Sequence, residues 1–401
     1  MRNFIIKYIA QYCAICYKAK KFNGVKMLSF KPDIKLERKL KRVQVDITGY
    51  FNKVSGISKA EAMYLNRFAL ISNVGASSRI ENAVLTDHEI DWVDTTLHTD
   101  GKVTAFENRK SFILDKLSKE KERSIEEVIG CREVLNTIYS QAKELFPLSE
   151  TIIMGLHHNL LRYYPEAASY AGGYKKVSNQ VIFYNHETGE KRVVLEPAPP
   201  GIVTETAMAE LVKWYNAAIR ECTWPLPTAV EFVFRFLAIH PFQDGNGRLG
   251  RALFILALLQ SDDAFLSGIT PFIAVDRHIE QNRSLYYSTL HQCSEGKFHP
   301  DPARYNLEPL AWFFVRIVKE SLEDIDCYRE RYRNQQRLSE SALTVLRCFK
   351  TNPEKRLKAA DIVNETGLAR RTIQYSLQKL TDQEFLQRLG HGAGSRYQLI
   401  F

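Results

Sequence analysis

The sequence lacks both a cysteine framework and a long apolar segment. Its 401 residues include seven cysteines, an odd number scattered along the chain, so we expect a reducing, cytoplasmic setting. Cys13 and Cys16 form a lone C-x-x-C without a second pair or paired histidines, which argues against a zinc or redox site. The mildly apolar residues 4–16 are interrupted by Lys7 and are too short to span a bilayer. We therefore expect no membrane span.

The overall composition excludes few other classes of protein. Hydrophobic residues make up 45% of the chain and charged residues 25%, which is ordinary for a globular protein of two or three domains. The net charge of +9 suits an acidic partner such as nucleic acid, but it also suits a basic surface with no such partner. Function must therefore be inferred from local motifs.

The most informative motif is a loop of twelve residues that starts at His240 and reads His-Pro-Phe-Gln-Asp-Gly-Asn-Gly-Arg-Leu-Gly-Arg. An apolar helix is predicted before it, over residues 228–239, and Pro241 favours a helix end at that point. A second apolar helix is predicted from Leu249 onwards. The glycines between them allow backbone conformations that expose amides at the start of the second helix, where anions bind.

The side chains of the loop add chemistry to this anion site. Arg248 and Arg251 carry guanidinium forks that suit phosphate oxygens. Asp244 offers an oxygen ligand of the kind Mg²⁺ takes beside substrate phosphates. His240 can accept a proton near neutral pH. A glycine-rich turn capped by histidine is the simpler interpretation, but the density of specific residues favours a phosphoryl- or nucleotidyl-transfer site.

This loop resembles the signature His-Pro-Phe-x-(Asp/Glu)-Gly-Asn-Gly-Arg-x-x-Arg of the Fic (Fic/DOC) family at every defined position. Most members of that family transfer AMP from ATP to a hydroxyl of a target protein. The resemblance implies a mainly helical Fic-type bundle with a β-hairpin flap, with ATP as substrate and Mg²⁺ held by Asp244. It also implies that His240 is the catalytic base, and that the phosphate-binding residues are Gly245, Asn246, Gly247, Arg248 and Arg251.

A second motif precedes the loop by more than 150 residues. Ser77, Glu81 and Asn82 match the pattern (Ser/Thr)-x-x-x-Glu-(Gly/Asn) of the inhibitory helix found in many Fic proteins. The resemblance implies that Glu81 pairs with Arg251 and blocks productive binding of the ATP γ-phosphate. On local physics alone, a capping serine followed by a surface glutamate is the simpler interpretation.

Two further features gain a role only through the resemblance. Residues 180–184 and 191–195 predict a β-hairpin, whose edge offers unpaired backbone groups to an incoming peptide. The resemblance implies a flap that docks the target segment through Val193, Val194, Leu195 and Glu196. It also implies that Tyr286 and Tyr287 lie against the adenine base, although adjacent aromatic residues are more often part of a core.

The C-terminal residues 339–401 predict a separate module that resembles a winged helix–turn–helix. The helix that would be its recognition helix carries Arg370, Arg371, Gln374 and Lys379, which suit DNA grooves and phosphates. The module has ten basic and six acidic residues, a net charge of only +4. Protein contact or dimerisation is therefore an equal alternative to DNA binding.

The predicted organisation has five segments. Residues 1–26 are interpreted as a non-native or disordered extension ahead of a natural start at Met27, with a weak signal peptide as the alternative. An N-terminal helical region covers residues 27–120, a catalytic domain 121–332, a linker 333–338 and the winged-helix module 339–401.

The favoured function is a protein adenylyltransferase inhibited by Glu81. The alternatives are a DNA-binding or toxin–antitoxin regulator that senses nucleotide, and an enzyme that removes AMP or transfers another group; self-modification and a homodimer are further expectations.

Overall fold

The computed structural model describes residues 28–99, 102–184, 189 and 191–400. The predicted extension at residues 1–26 lies outside this part of the chain. The described residues are mainly helical, as predicted from the sequence.

The N-terminal region contains two helices up to the motif at residues 77–82 and a third helix after it. Helix α1 spans Ile34–Ser55, α2 spans Lys59–Ile80 and α3 spans Asp87–Leu97. Asp33 and Ser58 cap the first two, because their side chains accept hydrogen bonds from the amides of Leu36 and Glu61. Ser77 and Glu81, expected on a short helix, therefore lie at the end of a 22-residue helix that is buried along its last turns.

The loop from His240 to Gly245 lies between two buried helices. Helices α4 (Lys110–Lys116), α5 (Glu122–Gln141), α6 (Glu150–Leu161) and α7 (Ile202–Glu221) precede α8 (Pro225–Ile239) and α9 (Asn246–Gln260). The last two are the apolar pair, and each is only 15 residues long. Within the described residues, no helix combines the length and apolar character that crossing a bilayer requires.

The remaining helices of the bundle close the core. They are α10 (Ala264–Ile269), α11 (Val275–Gln281), α12 (Arg283–Ser294) and α13 (Glu308–Gln336). One continuous apolar cluster runs from Leu36 to Ile325, so the regions predicted as 27–120 and 121–332 share a single core. The segment 333–338, predicted as a linker, instead continues α13 to Gln336. Its arginine and glutamine residues are good helix formers, so polar composition alone did not distinguish a linker from an exposed helix end.

Short strands form three antiparallel pairs. Strands β1 (His98–Thr99) and β2 (Lys102–Val103) follow α3. Strands β3 (Val181–Tyr184) and β4 (Lys191–Leu195) form the predicted hairpin, with Ile182 opposite Val193 and an irregularity between Val181 and Ile182. The third pair, β5 (Leu386–Leu389) and β6 (Arg396–Leu399), lies in the C-terminal module.

The C-terminal module has its own apolar core and packs against the N-terminal helices. Its helices are α14 (Glu340–Thr351), α15 (Ala359–Thr366) and α16 (Arg370–Asp382). The His88 ring on α3 lies 2.7 Å from the carbonyl of Pro353. Lys121 bonds both Glu89 of α3 and Glu354 of the module, at 2.7 and 2.8 Å. Polar contacts therefore join the module to the region that follows Glu81.

We predict that Gly130→Ala strongly destabilises the fold. A Cβ at Gly130 of α5 would lie 1.9 Å from the carbonyl oxygen of Leu160 in α6, so two helix backbones would have to separate. We expect a loss of more than about 2 kcal/mol in the free energy of unfolding, measured by urea denaturation. The matched control is Gly155→Ala on α6, where a Cβ meets nothing within 4 Å and we expect a gain of about 0.4–1 kcal/mol. Equal midpoints for the two variants would contradict the close packing of α5 on α6.

Candidate active site at the start of helix α9

His240 terminates α8 in a left-handed backbone conformation, with φ 50° and ψ 59°. The following Pro241 disfavours a further helical turn, and the His240 amide bonds the Phe236 carbonyl at 2.8 Å. The ring Nδ1 lies 3.3 Å from the carbonyl of Leu237. This contact assigns the proton to Nδ1 and leaves Nε2 as an acceptor. Burial, helped by the nearby Lys175 ammonium, lowers the pKa of His240 to about 4, so the ring is neutral at pH 7.

The loop after His240 is closed by its own side chains. The Asn246 amide group bonds both backbone groups of Phe242, accepting at 2.9 Å and donating at 2.7 Å. Gly245 adopts a left-handed conformation with φ 77°, and its amide donates to Asp244 Oδ1 at 2.6 Å. Asn246 and Gly247 are the first two residues of α9, where amides have no intrahelical acceptor. The start of α9 is therefore suited to bind an anion.

Arg248 is buried beside these amides with unmet hydrogen-bonding capacity. Only 2% of the residue is exposed, and its Nε and Nη1 have no hydrogen-bond partner among the described residues. Its nearest carboxylates are Glu127 and Asp244, both 3.7 Å away. Unsatisfied buried donors are costly. This guanidinium is therefore suited to bind the oxygens of an oxyanion.

Arg251, one helical turn further along α9, is held by the end of α2. Its Nε donates to Ser77 Oγ at 2.9 Å, and its Nη2 donates to the Ser77 carbonyl at 2.8 Å and to Glu81 Oε1 at 2.9 Å. The same Glu81 oxygen lies only 2.2 Å from the position of a Cβ built on Gly247. The Glu81 carboxylate thus lies against the first turn of α9, at the site where an anion would bind.

Asn82 fixes the direction in which the chain leaves α2. It adopts the left-handed conformation, with φ 74°. The Asn82 amide bonds the carbonyl of Arg79 at 2.9 Å and the Ala83 amide bonds that of Ser78 at 3.0 Å, the bonding pattern of a Schellman helix end. Arg283 of α12 donates to Asn82 Oδ1 at 3.1 Å. Ser77, Glu81 and Asn82 therefore each make a specific side-chain contact, the first two with Arg251 and the third with Arg283.

Two buried groups near the loop had no role in the sequence analysis. The His157 ring donates from Nε2 to the Asp244 carbonyl at 2.9 Å, accepts the Gly172 amide at Nδ1 and stacks on Phe242 at 3.8 Å. Asp276 is buried near Arg251; burial raises its pKa to about 6, against the opposing effects of Arg251 and Ser77. No local sequence signal identifies it.

Tyr286 and Tyr287 are both buried in the hydrophobic core. Tyr286 packs on Phe313, with ring centroids 5.7 Å apart. Tyr287 contacts Phe183 of the hairpin, with centroids 5.3 Å apart. The pair therefore lies between the hairpin and the bundle, with little side-chain surface exposed.

Only two of the four residues predicted to dock the target segment have side chains exposed to solvent. Val194 and Leu195 are buried, whereas the side chains of Val193 and Glu196 are exposed. The Glu196 backbone is already bonded, since its amide donates to Gly296 and its carbonyl accepts from Phe298, at 2.8 and 3.0 Å. His291 of α12 lies 2.9 Å from the Val194 carbonyl. The base of the hairpin is therefore fixed to the bundle.

Comparison with known proteins agrees with this geometry. Residues 147–258 match the Fic/DOC family, a range that contains the whole loop from His240 to Arg251. Over 207 residues the chain is 28% identical to the protein adenylyltransferase Fic of Nematostella vectensis, covering 50% of this chain and 39% of that protein. Over 104 residues it is 31% identical to protein adenylyltransferase fic-1 of Caenorhabditis briggsae, covering 26% and 18%. The matches thus span less than half the length of these relatives.

Solved structures share the fold. A Fic family protein from Desulfovibrio desulfuricans superimposes with a TM-score of 0.50 at 20% identity, covering 93% of this chain and 98% of that one. Fic-1 from Caenorhabditis elegans gives a TM-score of 0.52 at 17% identity, covering 73% and 72%. The first of these likenesses extends over nearly the whole chain.

We predict that Asn246→Ala loosens the loop and lowers stability. The substitution leaves the buried amide and carbonyl of Phe242 without the Asn246 partner, which costs about 2–4 kcal/mol in unfolding free energy. Urea denaturation measures the loss, and Asn364→Ala on the exposed face of α15 is the control. A change of less than 0.5 kcal/mol, within the range of surface substitutions (roughly ±0.5), would show that the side chain does not brace the loop.

Proposed function

We propose, on the premise that residues 147–258 form a Fic/DOC domain, that this chain is a protein adenylyltransferase that transfers AMP from ATP to a hydroxyl of a target protein. The observation that carries the proposal is a pair of buried arginines at the amide-rich start of α9, next to a neutral histidine. Such an arrangement provides phosphate ligands and a proton acceptor together.

His240 supplies the base in this proposal. Its Nε2, unprotonated in the assigned tautomer, takes the proton from a serine, threonine or tyrosine hydroxyl. The hydroxyl oxygen forms a bond to the α-phosphorus of ATP, the bond from that phosphorus to the bridging oxygen breaks, and pyrophosphate leaves. A ring held neutral by burial is ready to accept a proton at physiological pH.

The start of α9 binds the triphosphate. The amides of Asn246 and Gly247 face the developing negative charge, and the amide of Gly245 joins them if it exchanges its bond to Asp244 for a phosphate oxygen. Arg248 satisfies its unmet donors with phosphate oxygens. Arg251 binds the γ-phosphate once it is released from Glu81.

Asp244 is the residue that would hold Mg²⁺. Its side chain is 43% exposed, Oδ1 accepts the Gly245 amide and Oδ2 lies 3.7 Å from Arg248, so one oxygen remains accessible. A single carboxylate fits the donor set of Mg²⁺, which is completed by water and substrate phosphates. When bound, the ion would neutralise phosphate charge.

The hairpin and the tyrosines would recognise the two substrates. We assign target docking to the exposed part of the flap at Val193 and Glu196, with Val194 and Leu195 holding the strand in place from the core side. The adenine base rests near Tyr286 and Tyr287, under the contact between Tyr287 and Phe183.

Glu81 restrains the enzyme in this proposal. Its carboxylate occupies one nitrogen of the Arg251 fork and lies in the anion site, so it competes with the γ-phosphate by position and by charge. Removing the carboxylate frees the fork. Displacing the end of α2 would have the same effect.

Glu81→Gly should therefore increase AMP transfer. We expect at least about a tenfold gain in AMP added to the chain itself or to added protein, because tenfold corresponds to only about 1.4 kcal/mol of altered phosphate binding. Intact-mass spectrometry after incubation with Mg²⁺ and ATP measures it. Glu144→Gly, which removes an exposed carboxylate, is the control, and adding His240→Ala should reduce the gain by about 10²–10⁴-fold. No added AMP in any variant would refute the transferase proposal, and equal labelling of Glu81→Gly and the parent would refute the inhibitory role alone.

A second candidate activity, sequence-specific DNA binding, is favoured by one feature of the C-terminal module. Arg370, Arg371 and Gln374 are exposed on α16, and neither arginine has an ion-pair partner among the described residues. A helix with exposed guanidinium and amide groups suits a DNA groove. The alternative occupant of this helix face is protein.

Substitution of both arginines tests this candidate. We expect the full chain to bind a selected duplex, and Arg370→Ala/Arg371→Ala to weaken that binding at least tenfold, measured by gel shift at several salt concentrations. Arg347→Ala/Lys355→Ala, elsewhere in the module, is the control. If selection enriches no duplex sequence, or if both double variants bind DNA with equal affinity, protein recognition is left as the role of the module.

A further inference from the structure

Lys175 is a buried cation without an acidic partner. It lies in the segment between α6 and β3, and only 3% of the residue is exposed. No carboxylate lies within 4 Å of its ammonium among the residues that the structure describes. Burial lowers the pKa of Lys175 to about 8. A buried ammonium is costly without a counter-charge, so its hydrogen bonds require an explanation.

Those hydrogen bonds reach both sides of His240. The Lys175 ammonium donates to the carbonyl of Ile239 at 3.2 Å and to Asn179 Oδ1 at 3.0 Å. The backbone amide of the same residue donates to the carbonyl of Pro241 at 2.8 Å. Asn179 extends the contact by donating to the carbonyl of Phe242 at 3.0 Å. One short segment therefore bonds the carbonyls of residues 239, 241 and 242.

The backbone of His240 needs such support. A left-handed conformation is unfavourable for a residue with a Cβ, and it persists only where the surroundings hold it. The His240 amide is fixed from within α8, by Phe236. The carbonyl of the preceding residue, Ile239, accepts from the Lys175 side chain, and the carbonyl of the following residue, Pro241, accepts from the Lys175 backbone amide.

We propose that Lys175 is the positioning residue of the catalytic base: it clamps the carbonyls before and after His240 and so holds the ring at the start of the anion-binding loop. The proposal rests on the proposed adenylyl transfer, to which it adds a residue outside the Fic signature. Lys175 would not touch either substrate. It would act through the backbone and charge of its neighbour.

The charges around the His240 ring support this role. The Lys175 ammonium, the Glu81 carboxylate and the Asp244 carboxylate all act on it, and only the ammonium favours the neutral ring. Burial acts in the same direction and more strongly. If Lys175 loses its charge, burial alone holds the pKa of His240 down, and the pKa rises towards its ordinary value of 6.5 whether or not the Glu81 carboxylate is present.

The experiment compares three substitutions in the Glu81→Gly background of the full chain. Lys175→Met removes the charge and the side-chain donors, and Lys175→Arg keeps both. Lys176→Met, at the exposed neighbouring position, is the matched control. We would measure kcat and KM for ATP from about pH 3.5, below the pKa of His240, to pH 9, and the titration of His240 over the same range by NMR of ¹⁵N-labelled imidazole without nucleotide or metal.

We expect Lys175→Met to lower kcat at least tenfold while KM for ATP changes less than threefold. The acidic limb of the pH profile and the NMR midpoint of His240 should both move to higher pH. Lys175→Arg should restore kcat to within threefold of the parent, and Lys176→Met should change neither quantity. Equal kcat and equal His240 midpoints for Lys175→Met and Lys176→Met would overturn the proposal, as would a loss that Lys175→Arg does not restore.

Two further readouts keep the outcome decisive. If Lys175→Met does not fold, Lys175→Gln replaces it: the proposal requires a higher kcat for the arginine variant than for the glutamine variant, and equal values overturn it. If the Glu81→Gly parent transfers no AMP, the proposed function has failed, and the NMR midpoint alone decides whether Lys175 controls His240. An unchanged midpoint in Lys175→Met then overturns the proposal.

Discussion

One buried guanidinium joins the two halves of the candidate site. Arg251 belongs to helix α9, yet it donates to Ser77 and Glu81 at the end of α2. A buried arginine must be paired, so phosphate can bind it fully only where the glutamate withdraws. In the proposed function, nucleotide binding and the position of α2 are therefore linked through one side chain. The contacts of α3 with the C-terminal module make that position dependent on the rest of the chain.

The rest of the site is built for rigidity. His157 braces the carbonyl of Asp244 from α6, Asn246 closes the loop on Phe242, and Lys175 holds the residues beside His240. These braces come from separate elements and leave the loop few alternative conformations. Preorganisation of this kind lowers the reorganisation energy of a reaction, because the hydrogen-bond donors already point to where negative charge develops in the transition state. Within this rigid arrangement, Nε and Nη1 of Arg248 have no hydrogen-bond acceptor among the described residues.

Local sequence signals predicted the local structure well. Pro241 marked the end of α8, and two short strand-like runs marked the hairpin. The mainly helical fold is confirmed, and the contact of Glu81 with Arg251 lies where the family resemblance implied it. The braces were not predicted, because Lys175 and His240 are 65 positions apart and no periodicity relates them. Exposed polar composition also misassigned residues 333–336, which continue α13.

Calorimetric titration with magnesium ATP tests the central claim most directly. The titration would use His240→Ala, which prevents turnover, with and without Glu81→Gly. The account predicts that the double variant binds the nucleotide at least about tenfold more tightly, a difference of about 1.4 kcal/mol, because the Arg251 fork is released. An absence of binding even without the glutamate, or the same affinity in both proteins, would contradict it.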